Sequence, residues 1–223
     1  MATRQLLAEL AAAFEQQSGC VVLVESVGGV DAVKRIQAGE IFDLAVLGSD
    51  AIDTLIASGH IRAGSKVDLM LSGVAVAVRA GAVLPDISSE NAVRLAVRSA
   101  RSISYSTGPS GVALVKLFER WGIAYEIQSR IVQAPPGVPV ATLVASGQVE
   151  LGFQQLSELM RVEGVAVVGP LPPAIQITTT FSAGIPVRAS AESSRAEQVR
   201  ALLDFMASPL AADSKRRHGM APA

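Results

Sequence analysis

Two stretches constrain this chain more than any others. VDLMLSGVAVAVRAG (67–81) and AIQITTTFSAGIPV (174–187) are both longer than an ordinary strand of about five or six residues. In the first, Val74, Val76 and Val78 alternate with Ala75, Ala77 and Arg79, which is the period of an extended chain. Around them, shorter apolar runs of strand length alternate with helical patterns. CVVLVE (20–25), FDLAVLGSD (42–50), ISYS (103–106), RIVQ (130–133), VELGFQQ (149–155) and GVAVVG (164–169) read as strands. Helices are predicted from the start of the chain to Gly19, and over 31–39, 51–58, 91–100, 112–121, 140–146 and 194–217. This alternation predicts an α/β fold built of crossover units with mostly parallel sheets. The two long runs predict two crossings between two lobes, with 1–75 and 184–223 in one and 76–183 in the other.

The helix ends carry their own signals. Leu7, Leu10 and Phe14 fall on one face of the first helix, and Gly19 stands where a left-handed stop is wanted. Thr3 is the only obvious cap at its start, and Asp50 is the expected cap of the helix that ends at Gly59. Leu114, Val115, Phe118 and Trp121 share a face of the 112–121 helix and read as core rather than as a stacking platform.

Composition narrows the function classes. The net charge is −1 and no long basic run occurs, which disfavours a nucleic-acid partner. Lys215, Arg216 and Arg217 read as a helix C-terminus with cations at the negative end of its dipole. The single cysteine, Cys20, opens an apolar run and is expected to be a buried, inert thiol. With two histidines, His60 after a helix and His218 in the terminal tail, neither a zinc site nor a Ser-His-acid triad is expected. No run approaches the roughly 20 apolar residues of a membrane span, and no secretory signal is visible. No metal or cofactor is called for.

In open α/β sheets ligands gather at the carboxyl ends of strands. The residues there are small hydroxyls, glycines and amides: SVGG (26–29), Gly48 to Asp50, STGPSG (106–111), Ala134 to Pro139, and Gln154 with Gln155. Each glycine-rich loop runs into a helix start, where free backbone N–H groups and the positive dipole end favour an anion. The same residue types are ordinary in turns and caps, so the loops count together rather than singly. Neither SVGG nor STGPSG is a Walker A loop, and the dinucleotide fingerprint GxGxxG is absent.

ELAAAFEQQSGCVVLVES, RIQAGEIFDLAVLGSD, SGVAVAVRAG, STGPSGVALVKLFERWGI, VATLVASGQVELGFQQLSEL and FMASPLAADSKRRHGM occur in this order over most of the chain. Together they resemble the periplasmic solute-binding proteins of the molybdate-binding type, the type II substrate-binding components of ABC transporters. The resemblance implies a two-lobed periplasmic-binding-protein-like fold with the ligand in the cleft between lobes, a periplasmic location, and an ABC permease as partner. It implies a strand and a hydroxyl-rich loop before the first helix, so the first strand is expected to be missing from the chain as written. It places the second ligand loop on Val27, Gly28, Gly29 and Val30, the third on Pro109, Ser110 and Gly111, and the fourth on Gly137 and Val138. The family's tyrosine falls on Gln155. Thr3, Arg4, Ser72, Thr107 and Gln154 complete the candidate set.

The departures from the family pattern bear on the ligand. Val27-Gly28-Gly29-Val30 replaces a serine-rich loop, and Gln155 replaces the tyrosine. With Gln154 and Thr178 to Thr180, these favour a larger organic anion such as a carboxylate over molybdate. Two readings are carried forward: a monomeric binding protein for a small anion, or, as a resemblance to some relatives of this type implies, a cofactor-free isomerase of an unsaturated tricarboxylic acid such as aconitate, with Arg4 as candidate cation. A transcription-regulator effector domain shares the fold class but would need a helix-turn-helix segment, which is absent.

Overall fold

A computed structural model describes residues 2–135, 137–189 and 193–223. In chain order the elements are α1 (Arg4–Ser18), α2 (Gly29–Gln37), β1 (Ala45–Gly48), α3 (Ser49–Ala57), β2 (Val67–Arg79), α4 (Glu90–Ser99), β3 (Ile103–Tyr105), α5 (Pro109–Arg120), α6 (Ala124–Ile127), α7 (Val140–Ala145), β4 (Leu151–Gln155), α8 (Leu156–Leu159), β5 (Val165–Pro170), β6 (Thr178–Gly184), α9 (Ser193–Ala207), α10 (Ala212–Arg217) and β7 (Met220–Pro222). The chain divides into two compact units, Met1–Leu71 with Thr179–Ala223, and Ser72–Thr178. The chain leaves the first unit inside β2 and returns to it at the start of β6.

In the first unit, β6 runs antiparallel to β1, with Ala45 opposite Gly184 and Gly48 opposite Phe181. β7 adds to β2. Leu6 and Leu10 of α1 pack with Leu69, Met70, Leu203, Met206 and Met220 into one core cluster. Phe14 meets Phe205 of α9 with ring centroids 5.7 Å apart. A second cluster holds Ile36, Leu47, Ile52, Leu55 and Ile61. Gly19 closes α1 at φ 71°, its N–H on the Glu15 carbonyl at 2.8 Å, as the sequence predicts.

The second unit explains the Val/Ala alternation of β2. Val74, Val76 and Val78 face Val93 and Val97 of α4 and Leu114 and Phe118 of α5. Ala75 and Ala77 face the other way, against Ala141 of α7 and Leu159 of α8. Small residues on that side let the helices close down. Gly152 shows how tightly: a β-carbon there would stand 2.5 Å from Val144 Cγ2 and 2.9 Å from Val140 Cγ1. β3 and β4 are parallel, Tyr105 lying opposite Phe153, and β2 pairs antiparallel with both β4 and β5.

Several expectations are corrected. The described ladders are mixed rather than mostly parallel, because β2 and β6 run against their neighbours. CVVLVE forms no strand: among the described residues nothing pairs with it as a ladder, Val21 and Leu23 are 76% and 91% exposed, and the Val22 N–H bonds the Glu15 side chain. Cys20 is accordingly half-buried rather than buried. RIVQ reduces to a single bridge, Ile131 to Ile103, after a 3-10 turn. Asp50 lies within the first turn of α3, whose cap position is Gly48. Thr3 occupies the cap position of α1 in a helical conformation, and its side chain makes no cap bond. His218 is not a loose tail residue. It closes α10 and bonds Glu9 at 2.7 Å.

Candidate functional site

The parallel pair β3 and β4 brings two of the candidate segments side by side, because Tyr105, the last residue of β3, is the register partner of Phe153, two residues before β4 ends. After β3 the chain turns through Ser106, Thr107 and Gly108 into α5. Gly108 is the cap residue and Pro109 the first helical one, a position where the missing N–H costs nothing. Gly111 is obligatory. A β-carbon on it would stand 1.8 Å from the Ser106 carbonyl oxygen, so the loop folds flat onto the helix start. Ser106 and Ser110 hydroxyls lie 3.5 Å apart, with Ser110 buried and Thr107 exposed. α5 spans twelve residues, enough for its unpaired N–H groups and dipole to matter to an anion.

Beside it, β4 ends on Gln154 and Gln155, both buried. Gln154 is spoken for within the protein. Its Oε1 accepts the Ala141 N–H at 3.3 Å, and its amide donates to the Glu158 carboxylate in α8. Burial pushes the Glu158 carboxyl above the ordinary range, and the Gln154 bond pulls against that rise. The segment ahead of α7 passes Ala134, whose N–H bonds the Tyr105 carbonyl at 3.2 Å, and then turns at Gly137, φ 80°. Gly137 and Val138 are exposed.

Ser72 stands at the start of the second unit, fully buried, and its hydroxyl has no hydrogen-bond partner among the described residues. The same strand is clasped two residues on by Gln176, which accepts from the backbone N–H groups of Val74 (3.0 Å) and Ile177 (2.9 Å) and donates to the Leu171 carbonyl (3.2 Å). A β-carbon on Gly73 would come within 3.2 Å of that amide.

In the first unit the candidates lie at two separate helix starts. Thr3 is buried and Arg4 exposed at the head of α1. Val27 and Gly28 are half-buried, and Gly29 and Val30 exposed, at the head of α2. Asp31 sits in the first turn of α2 and would oppose an anion there. Among the described residues no hydrogen bond joins the two sets.

Sequence reasoning passed over Glu158 and Gln176. An acidic residue four positions after the first glutamine of FQQLSEL was the available sign for Glu158. Gln176 carried no sign, since its clasp depends on β2 lying beside it.

Comparison with known proteins fits this geometry. The bacterial extracellular solute-binding protein family matches residues 1–221, and the chain belongs to that family. It is 36% identical over 222 residues to the aconitate isomerase of a Pseudomonas species, covering 96% of this chain and 82% of that protein. In structure it is similar to the Azotobacter vinelandii periplasmic molybdate-binding protein, with a TM-score of 0.77 at 23% identity over 98% of this chain and 94% of that one. It is also similar to the L-phospholactate-bound PEB3, a Campylobacter jejuni protein, with a TM-score of 0.75 at 13% identity over 99% of this chain and 96% of that one.

Proposed function

We propose that this solute-binding family member captures a small anion, an oxyanion or an organic carboxylate, outside the cytoplasmic membrane and as a monomer delivers it to an ABC-type permease. The observation that carries the reading is the donor set at the ends of β3 and β4. It consists of the start of α5, the Ser106 and Ser110 hydroxyls and Gln155, with no Lys or Arg between Ile131 and Met160 or between Ser102 and Val115. Neutral donors and backbone N–H groups hold an anion without a competing salt bridge, which suits a site that must release its ligand. The molybdate-binding and phospholactate-bound neighbours support anion capture on this fold.

A second reading is a cofactor-free isomerase of an unsaturated tricarboxylate. A carboxyl beside the candidate residues, Glu158 in α8, is held above its ordinary range by burial, which is the direction a proton-exchanging group needs. The 36% identity to an aconitate isomerase supports it as well.

Calorimetry and thermal melts against molybdate, tungstate, sulfate, citrate, cis-aconitate and trans-aconitate test the first reading. At a hundred times Kd a bound anion stabilises the fold by about 2.7 kcal/mol. Neither heat nor stabilisation with any of the six overturns it. Turnover assays on each ligand that binds then separate capture from isomerisation.

A further inference from the structure

We propose that Ser72 is a specificity-determining residue of this site, its hydroxyl donating to one carboxylate of a bound di- or tricarboxylate while the start of α5 holds another. The inference rests on the anion-capture reading and narrows it to one class of ligand.

Strand direction puts Ser72 at the right end of the sheet. β3 and β4 are parallel, and α5 begins where they end. β2 runs antiparallel to β4, with Val74 opposite Gln155 and Val76 opposite Phe153, so the residues just before Val74 lie at that same end. The pleat puts Ser72 on the right face. β2 is unbroken from Val67 to Arg79, and side chains two apart in a strand share a face. Ser72 therefore shares the face of Val74 and Val76, which pack with Leu114 and Phe118 of α5. Gln155 lies on that face too, since Phe153, two residues before it, meets Phe118 with ring centroids 6.1 Å apart. Ser72 is fully buried, and among the described residues its hydroxyl bonds nothing. A buried hydroxyl without a partner costs stability, and a ligand oxygen removes that cost. Ser104 is also buried without a partner, but it lies opposite Gly152 on the side filled by Val140 and Val144 of α7, away from α5.

The spacing of the donors selects the ligand. β4 stands between β2 and β3, so Ser72 and the turn that leads into α5 are two strands, about 10 Å, apart. A tetrahedral oxyanion carries all its oxygens on one atom and fills one donor set. A di- or tricarboxylate carries its anionic groups at separate points of a carbon chain. One carboxylate takes the backbone N–H groups at the head of α5 with the Ser106 and Ser110 hydroxyls. The second accepts from the Ser72 hydroxyl, a hydrogen bond strengthened by the carboxylate charge. Gln155, at the end of the strand between them, supplies a neutral polar group along the ligand chain.

The test uses calorimetry on the full chain with citrate, cis-aconitate, trans-aconitate, molybdate, tungstate and sulfate, and melts of each variant without ligand. Expected are binding of at least one of the three organic acids by the wild type, affinity for it lower by about 10- to 100-fold in S72A, and affinity within about twofold of the wild type in S104A. The ligand-free melt of S72A should match or exceed that of the wild type, because the hydroxyl it removes bonds nothing among the described residues. Binding of the acid by S72A at wild-type affinity overturns the inference and leaves anion capture standing. The same loss in S104A makes the effect one of packing and overturns it. A lower ligand-free melt in S72A assigns the hydroxyl to holding the strand and overturns it as well. A wild type that binds the inorganic anions and none of the three acids overturns the inference and keeps oxyanion capture. Failure to bind any of the six overturns the inference and the capture reading together.

Discussion

Gly111 lies with its α-carbon against the carbonyl oxygen of Ser106, so close that a β-carbon would stand 1.8 Å from it. No rotamer relieves that contact, since both partners are backbone. Gly111→Ala must push the 106–108 turn away from α5. The expected cost is about 2–3 kcal/mol, as for other overpacked sites, read from denaturant or thermal melts. Anion affinity should fall as well, because the turn and the helix start lose their register. A melt and affinity like those of the wild type would show that the turn does not need this contact.

Glu9 gathers the end of the chain onto α1. It accepts from Ser214 at 2.7 Å, from Arg217, and from His218 at 2.7 Å. The Ser214 bond first, then those from His218 and Arg217, hold its carboxyl at about 2, below the ordinary 4.5. A carboxyl lowered on folding stabilises the fold above its unfolded value and loses that contribution as pH falls from about 4.5 toward 2. The side chain is 37% exposed, so solvent screening reduces the effect to about 1 kcal/mol. Glu9→Gln should lower stability at pH 7 by that amount and leave it nearly unchanged at pH 2.5. An equal loss at both pH values would exclude the ionic contribution.

Much of the fold was legible because local signals and packing agreed. Gly19 and Gly59 lie at positive φ just after helices, as the sequence predicts, and Gly39 and Gly122 do the same. The Val/Ala alternation of 74–78 survives as two different faces of β2. CVVLVE failed because apolar content does not make a strand without a hydrogen-bonding neighbour, and among the described residues it has none. Asp50 failed because Ser49 already begins the helix. Of the site, the glycine-rich turn at 106–111 could be read from composition. The Gln154–Glu158 pair could not, because it forms only when the chain bends from β4 into α8.

Lys215 is the largest departure from ordinary burial. It is 1% exposed in α10, a helix packed on α1 and β7, and burial lowers its amine below the usual lysine range. A group depressed this way disfavours the fold at neutral pH, where the unfolded chain would be fully charged. Lys215→Met keeps the length of the stem and removes the charge. It should raise stability by about 1 kcal/mol, or ~2–4 °C in Tm for a chain of this size. A fall in Tm would mean that the ammonium makes a favourable contact which methionine cannot replace.

Gln154 and Glu158 give the last prediction, and its sign follows from opposing effects. Burial raises the Glu158 carboxyl, and the amide of Gln154 favours the charged form and holds the rise back. Gln154→Leu keeps the apolar packing of β4 and removes the donor. The Glu158 carboxyl should then titrate at higher pH than in the wild type, followed by carbon-13 NMR of the labelled side chain. The Ala141 N–H loses its acceptor at the same time, so stability should fall by about 1–2 kcal/mol. Gln154→Glu separates the two effects. Its second oxygen still serves the Ala141 N–H, while its charge faces Glu158 and should raise that carboxyl further than leucine does. A Glu158 titration unmoved by both substitutions would mean that Gln154 does not hold it.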